Sequence, residues 1–202
     1  MESLSLFPLS SIVLPGGQMR LRIFEPRYQR LVKQCLRHNQ PFVMCLAPTS
    51  NQVWHQEPLE WVGSVVSIVD FEQLEDGLLG ITVQGLERCV IHSVETEYDG
   101  LRLCNIEKIG RWPSQPLSKA DAILAHSLGE VYQQFPQLEQ LNRPAHFDDS
   151  AWVSQRWLEL LPLNQVPLKQ LVLAQTCQQT LTFLHQTLLS DDGAASQQNY
   201  HH

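Results

Sequence analysis

The sequence predicts an α+β fold, in which a closed or nearly closed antiparallel β-barrel with one inserted helix is followed by a C-terminal helical subdomain. Three observations lead there. Short apolar runs with turn residues between them recur from Leu6 to Ile106, the cadence of sequential antiparallel strands. A single amphipathic segment interrupts them, with Tyr28, Leu31, Val32, Cys35 and Leu36 at helical spacing. Beyond Arg111-Trp112-Pro113-Ser114-Gln115-Pro116 the apolar period becomes helical and stays so.

In chain order, Leu6-Phe7-Pro8-Leu9 is a short apolar strand and Leu14-Pro15-Gly16-Gly17 a turn that uses glycine at positive φ. Met19, Leu21 and Ile23 mark a second strand. A helix then opens at Pro26, where the missing N–H is no loss, with Glu25 placing negative charge at the helix N-terminus. Arg30, Lys33 and Arg37 recur opposite its apolar stripe and read as a solvated face. Residues 41–46 form a buried strand, and a polar loop over 48–58 carries Trp54 and His55. From Trp61 to Phe71 a strand is apolar on both faces. The corner Glu75-Asp76-Gly77 turns it into Leu78–Gln84, and Gly85-Leu86-Glu87 reads as another reversal before Arg88–Val94 and Leu101–Ile106.

In the second half, Ser118 and Asp121 have capping-box spacing ahead of a stripe of Leu124, Leu128, Val131 and Phe135 that Pro136 stops. A helix from near Asp148-Asp149-Ser150 runs to Pro162. A last one, with Pro167 in its first turn, spans roughly 22 residues, on the order of 33 Å, long enough to brace the barrel. The expected division is a barrel over 1–112, helices over 113–190 and a disordered tail over 191–202.

Composition bounds the function. With 43% hydrophobic and 17% charged residues, the chain suits a globular protein, and it has neither the succession of a signal peptide nor an apolar run of membrane-spanning length. The cytoplasm is the expected compartment. Five widely spaced cysteines without a Cys-x-x-Cys pair are expected as buried small hydrophobes, so no metal and no cofactor is assigned. Through Cys45, six basic residues face two acids, net +4; from Glu57 to Glu107, eleven acids face Arg88 and Arg102, net −9. So acidic a barrel disfavours nucleic acid, whose backbone is bound through several Lys or Arg contacts. No nucleophile elbow and no His-Glu-x-x-His occurs, and no catalytic residue is assigned.

Leu6-Phe7-Pro8-Leu9, Leu14-Pro15-Gly16-Gly17 and Ile23-Phe24-Glu25-Pro26-Arg27-Tyr28 in succession resemble the opening of the Lon substrate-binding domain, the N-terminal region of ATP-dependent Lon proteases that also occurs as a free-standing bacterial protein. Val62-Gly63-Ser64 resembles that family's Val-Gly-Thr strand, with serine in place of threonine. Asp76-Gly77 and Gly85-Leu86-Glu87-Arg88 are similar to its Asp-Gly turn and Gly-x-x-Arg hairpin, with Cys89 where an aromatic residue is usual. The likeness covers roughly residues 4 to 110 and is one of pattern only beyond them. It implies a PUA-like β pseudo-barrel of about six strands that recognises protein substrates. A complete Lon protease carries an ATPase with a Gly-x-x-x-x-Gly-Lys-Ser/Thr loop and a Ser-Lys proteolytic dyad, and these 202 residues hold neither that loop nor room for those domains, so no proteolysis is expected.

The expected activity is therefore binding of unfolded protein or peptide, alone or beside a protease or chaperone, in an apolar groove between barrel and helices. Phe24, Tyr28 and a loop tryptophan, Trp54 or Trp61, would be its anchors, and Arg27 or Arg88 would orient the ligand. Glu25, Pro26, Gly63, Asp76, Gly77 and Gly85 are assigned to holding the fold. Arg27, Tyr28 and Arg88 have an architectural reading too, the first two fastening the helix to the barrel and Arg88 bonding carbonyls at the barrel end, and it carries more weight because buried Arg and Glu need partners. Two other functions stay open. One is a hydrolase whose Ser or Cys and His come from distant positions, and the other is RNA binding by a PUA-like barrel.

Overall fold

A computed structural model describes residues 2–47 and 61–188, so the predicted loop with Trp54 and His55, and the predicted tail, lie outside the described residues. These residues form two compact units, one within Met1–Arg111 and Pro162–Leu173, the other within Trp112–Leu161 and Ala174–His202.

The first unit holds β1 (Glu2–Leu9), β2 (Gln18–Ile23), α1 (Pro26–His38), β3 (Phe42–Leu46), β4 (Trp61–Gln73), β5 (Leu79–Thr96), β6 (Arg102–Gly110) and α5 (Gln165–Leu173). The sheet order is β2-β5-β4-β3-β1-β6, and β6 pairs again with β5. Five strands thus fold back on one another while β2 stays on an edge, a pseudo-barrel rather than a closed cylinder. Every ladder is antiparallel except β1 with β3, which is parallel because β2 and α1 supply the crossover such a pair requires.

Alternation along the strands separates two cores. Leu4, Leu6, Val43, Cys45, Val65, Cys89, Ile91, Cys104 and Ile106, from all five strands of the ring, fill its interior. Phe7, Phe42, Met44, Val66, Ile81 and Val83 face the other way and take the apolar stripe of α1, Tyr28, Leu31, Val32 and Cys35. Both faces of β3 are therefore covered, and all five of its residues are buried.

Two expectations fail in this unit. Gly85-Leu86-Glu87 is no reversal: β5 runs unbroken for 18 residues, pairing with β2 over Leu79–Gln84 and with β6 from Arg88 onward. Gly85 serves a close approach instead. The Gly16 amide donates to the Gly85 carbonyl and the Gly85 amide to the Gly17 carbonyl, both at 2.9 Å, and the register with β4 shifts beside it. The basic face of α1 is not simply solvated either. Arg30 pairs with Glu97 and, at 2.7 Å, with Asp99, so the positive first third of the chain is fastened to the acidic β5–β6 turn. The expected corner at Asp76-Gly77 is present, with Gly77 at φ 82° and the Asp76 carboxylate accepting from the Leu78 amide.

The second unit comprises α2 (Ala122–Gln134), α3 (Pro136–Leu141), α4 (Ser150–Leu160) and α6 (Gln178–Leu188). Asp149 caps α4 by accepting from the Ala151 and Trp152 amides, and the helix is buried at nine successive positions from Ser150 to Leu158. Tyr132, not Val131 or Phe135, completes the buried stripe of α2, where Trp152 meets it edge to face at 6.3 Å. Pro136 opens α3 as well as ending α2. The single long last helix is also corrected. It is two helices, α5 and α6, broken at 174–177, where the Ala174 carbonyl accepts from the Trp112 indole and the Thr176 hydroxyl takes the Gln178 amide.

Candidate functional site

Three successive residues of β1, Phe7, Pro8 and Leu9, face three of β2, Arg20, Leu21 and Arg22, across a cleft of about 440 Å³. Phe24, Glu25, Arg27, Tyr28, Ala47 and Arg102 also line it, so all of its described lining residues belong to the first unit. Its floor is apolar. Phe7 stacks on Tyr28 with ring centroids 4.0 Å apart and tilts against Phe42 at 6.2 Å. Burial pushes the Tyr28 phenol up from its ordinary value, with the Arg27 charge opposing that shift. Phe24, between β2 and α1, leaves 66% of its surface exposed at this cleft, a large apolar side chain that neither core absorbs.

Charge gathers at the rim. The Arg27 guanidinium lies 2.7 Å from Glu25, donates to the Gly100 carbonyl at 3.0 Å and sits 4.8 Å from the Tyr28 ring centre. Arg22 pairs with Asp76, so the Asp-Gly corner holds one wall of the cleft. Arg20 and Arg102 bring the cations to four, against one acid, Glu25, among the described residues of the lining.

The cleft brings together the expected Phe24, Arg27 and Tyr28, with Glu25 among them and Pro26 at the first position of α1. Trp61 and Arg88 are elsewhere. Trp61 is half-buried and packs against the ring interior, and Gly63 lies between Cys45 and Cys89 in the ladders of β3, β4 and β5. Arg88 is 3% exposed, its Nε donating to the Gly110 carbonyl at 3.1 Å and its Nη1 to the Val172 carbonyl, while burial lowers its pKa to about 10. Of the residues that line the cleft, sequence inspection missed the role of Phe7, Pro8 and Leu9, though they open the family signature, and of Arg20 and Arg22. Arginines alternating with Met19 and Leu21 are the available signal of an edge strand with a charged outer face.

Among the described residues, His92 and His185 hydrogen-bond Glu107 and Asp121, and His126 lies beside Glu130. All five cysteines are buried, and burial raises their thiols, Cys35 to about 11 and Cys104 to about 12. We expect no thiol to react with a soluble disulfide reagent within minutes in native protein, and all five to react in denaturant, with thiol titration as the check. Because thiols raised by folding ionise first in the unfolded chain, stability should fall as pH rises above about 8.5, the ordinary thiol value. Among the described residues, no group of three or more His, Cys, Asp or Glu is placed to hold a metal ion, and no helix is long and apolar enough to cross a membrane.

The model of the ATP-dependent protease La (Lon) substrate-binding domain family matches residues 3–174. The chain belongs to this family. Its fold is similar to the crystal structure of a Lon N-terminal domain protein from Xanthomonas campestris, at 28% identity and a TM-score of 0.70 over 93% of this chain and 99% of that one. The N-terminal domain of a Mycobacterium avium complex Lon protease shares the Lon-domain fold at 13% identity, with a TM-score of 0.60 over 92% of this chain and 97% of that one. No curated protein matches the chain. The family match covers β1 through α5, well beyond the part in which the sequence motifs lie.

Proposed function

We propose that this Lon substrate-binding-domain chain is a non-catalytic cytoplasmic receptor for unfolded or extended protein segments, which it takes into the cleft between β1, β2 and α1. The observation that carries this reading is the cleft itself, where exposed Phe24 stands beside a floor of Phe7, Leu9, Leu21 and Tyr28 ringed by arginines. A pocket with an aromatic anchor and a few oriented polar groups is what recognition of a polypeptide needs. The family name points the same way, since a substrate of a protease is a protein. The buried thiols, raised by that burial, speak against a cysteine nucleophile.

Titration calorimetry against a reduced, carboxymethylated unfolded protein is expected to show saturable binding. Phe24→Ala should weaken it about tenfold, the cost of truncating an interface aromatic, and leave the urea midpoint unchanged because the ring is in neither core. Absence of saturation with any unfolded polypeptide would end this reading. A loss confined to Trp61 variants would move the site elsewhere.

A further inference from the structure

Side chains of a pleated strand alternate between its faces, so three successive residues line one cavity only where the cavity runs along the hydrogen-bonding edge of the strand. The cleft has two such edges. Among the described residues, β2 is the end strand of the sheet and pairs through β5 alone, yet Arg20, Leu21 and Arg22 all line the cleft. β6 covers β1 only from Glu2 to Leu6, and Phe7, Pro8 and Leu9, which pair with β3 on their other side, line the cleft too. Proline has no N–H to give, which leaves β2 as the edge better able to pair.

We infer that the ligand is bound as an added β-strand along the outer edge of β2, and that the segment selected alternates apolar with acidic residues. This inference rests on the peptide-binding reading and specifies its mode. Main-chain pairing with an exposed sheet edge supplies affinity, and pockets for alternate side chains supply selectivity. Residues of the added strand on the Leu21 face meet the apolar floor of Phe7, Leu9 and Tyr28. Residues on the opposite face stand beside Arg20 and Arg22, within the 4.5–5.5 Å at which cross-strand neighbours interact. Opposite charges are stabilising there and like charges are not. Arg20 and Arg22 would also oppose edge-to-edge pairing of two copies of this chain, since cations at a sheet edge repel each other. A polypeptide fits better than a phosphate backbone, because Arg22 and Arg27 already hold Asp76 and Glu25 and the floor between them is apolar.

The test uses the full chain and a synthetic peptide of about seven residues alternating leucine and glutamate, long enough at ~3.3 Å per residue to follow β2. Fluorescence anisotropy is measured with the parent peptide and with two forms, each N-methylated at one alternate set of residues. Methylating the set that pairs with β2 is expected to weaken binding at least twentyfold, and methylating the other set less than threefold. Arg20→Glu should weaken the glutamate peptide at least tenfold and strengthen its lysine counterpart. Equal affinity for both methylated forms would overturn strand addition, while saturable binding of unfolded protein would still uphold the receptor reading. Equal binding of glutamate and lysine peptides would overturn the acidic preference. Displacement of the peptide by a short RNA of matching length would replace it with a nucleic-acid site. No binding of any peptide or unfolded protein would remove both readings.

Discussion

Gly85→Ala is expected to destabilise the protein by about 3 kcal/mol, the upper part of the range for overpacking, and to lower the urea midpoint without changing the slope of the transition. A β-carbon at residue 85 would stand 2.1 Å from the Leu14 carbonyl oxygen, 2.6 Å from its carbon and 3.0 Å from the Val13 side chain. The first two are backbone atoms, which have no rotamer to escape into. Withdrawal of the 14–17 turn would break the two bonds at 2.9 Å that tie Gly16 and Gly17 to Gly85. β5 cannot yield either, because it carries β2, β4 and β6. Equilibrium urea unfolding decides the matter, and a change below about 0.5 kcal/mol, the size of an ordinary surface substitution, would show that the approach is not close.

Arg88→Ala should cost a similar amount, about 3 kcal/mol, by leaving the buried Val172 carbonyl and the half-buried Gly110 carbonyl short of a donor. Its particular signature would be the loss of α5. Val172 lies in the last turn of that helix, where carbonyl oxygens have no amide of their own helix to accept from, and the Arg88 guanidinium reaches one from the opposite side of the sequence. Hydrogen exchange should show α5 amides losing protection while β3 and β4 keep theirs. Arg88→Lys should restore only part of the effect, because an ammonium cannot span the Gly110 and Val172 oxygens as a planar fork does. Unchanged protection in α5 would mean that its packing on β4 suffices without the guanidinium.

Local chemistry made much of this architecture legible. The Pro-Gly-Gly turn, the proline-led α1, the Asp76-Gly77 corner and the Asp149 cap each declare themselves within four residues or so of chain. What depends on distant partners did not show. A glycine that admits a neighbouring main chain looks in sequence like one that turns a hairpin, and Gly85 is of the first kind. The stripe from Leu168 to Leu188 keeps helical spacing across a break that contains no proline or glycine, since the Trp112 indole claims the Ala174 carbonyl from 62 residues away. The site divides in the same manner. Phe24 and Tyr28 stand out because they flank a helix start, whereas the cleft exists only because β6 stops short of Phe7, Pro8 and Leu9. That Arg88 could bond carbonyls at a barrel end is legible in sequence, but that one of them belongs to Val172, 84 residues later, is not.

The pairing of Glu2 with Ile106 sets a timetable for synthesis. A ribosome adding about 5–20 residues per second needs on the order of 5–20 s to make β6 after β1 has emerged. For that interval the nascent N-terminal strand has one flank without its mate, and the Arg88 guanidinium keeps its hydration until Val172 follows. Barrel closure is therefore a late event, governed by translation speed as much as by the intrinsic rate of strand docking.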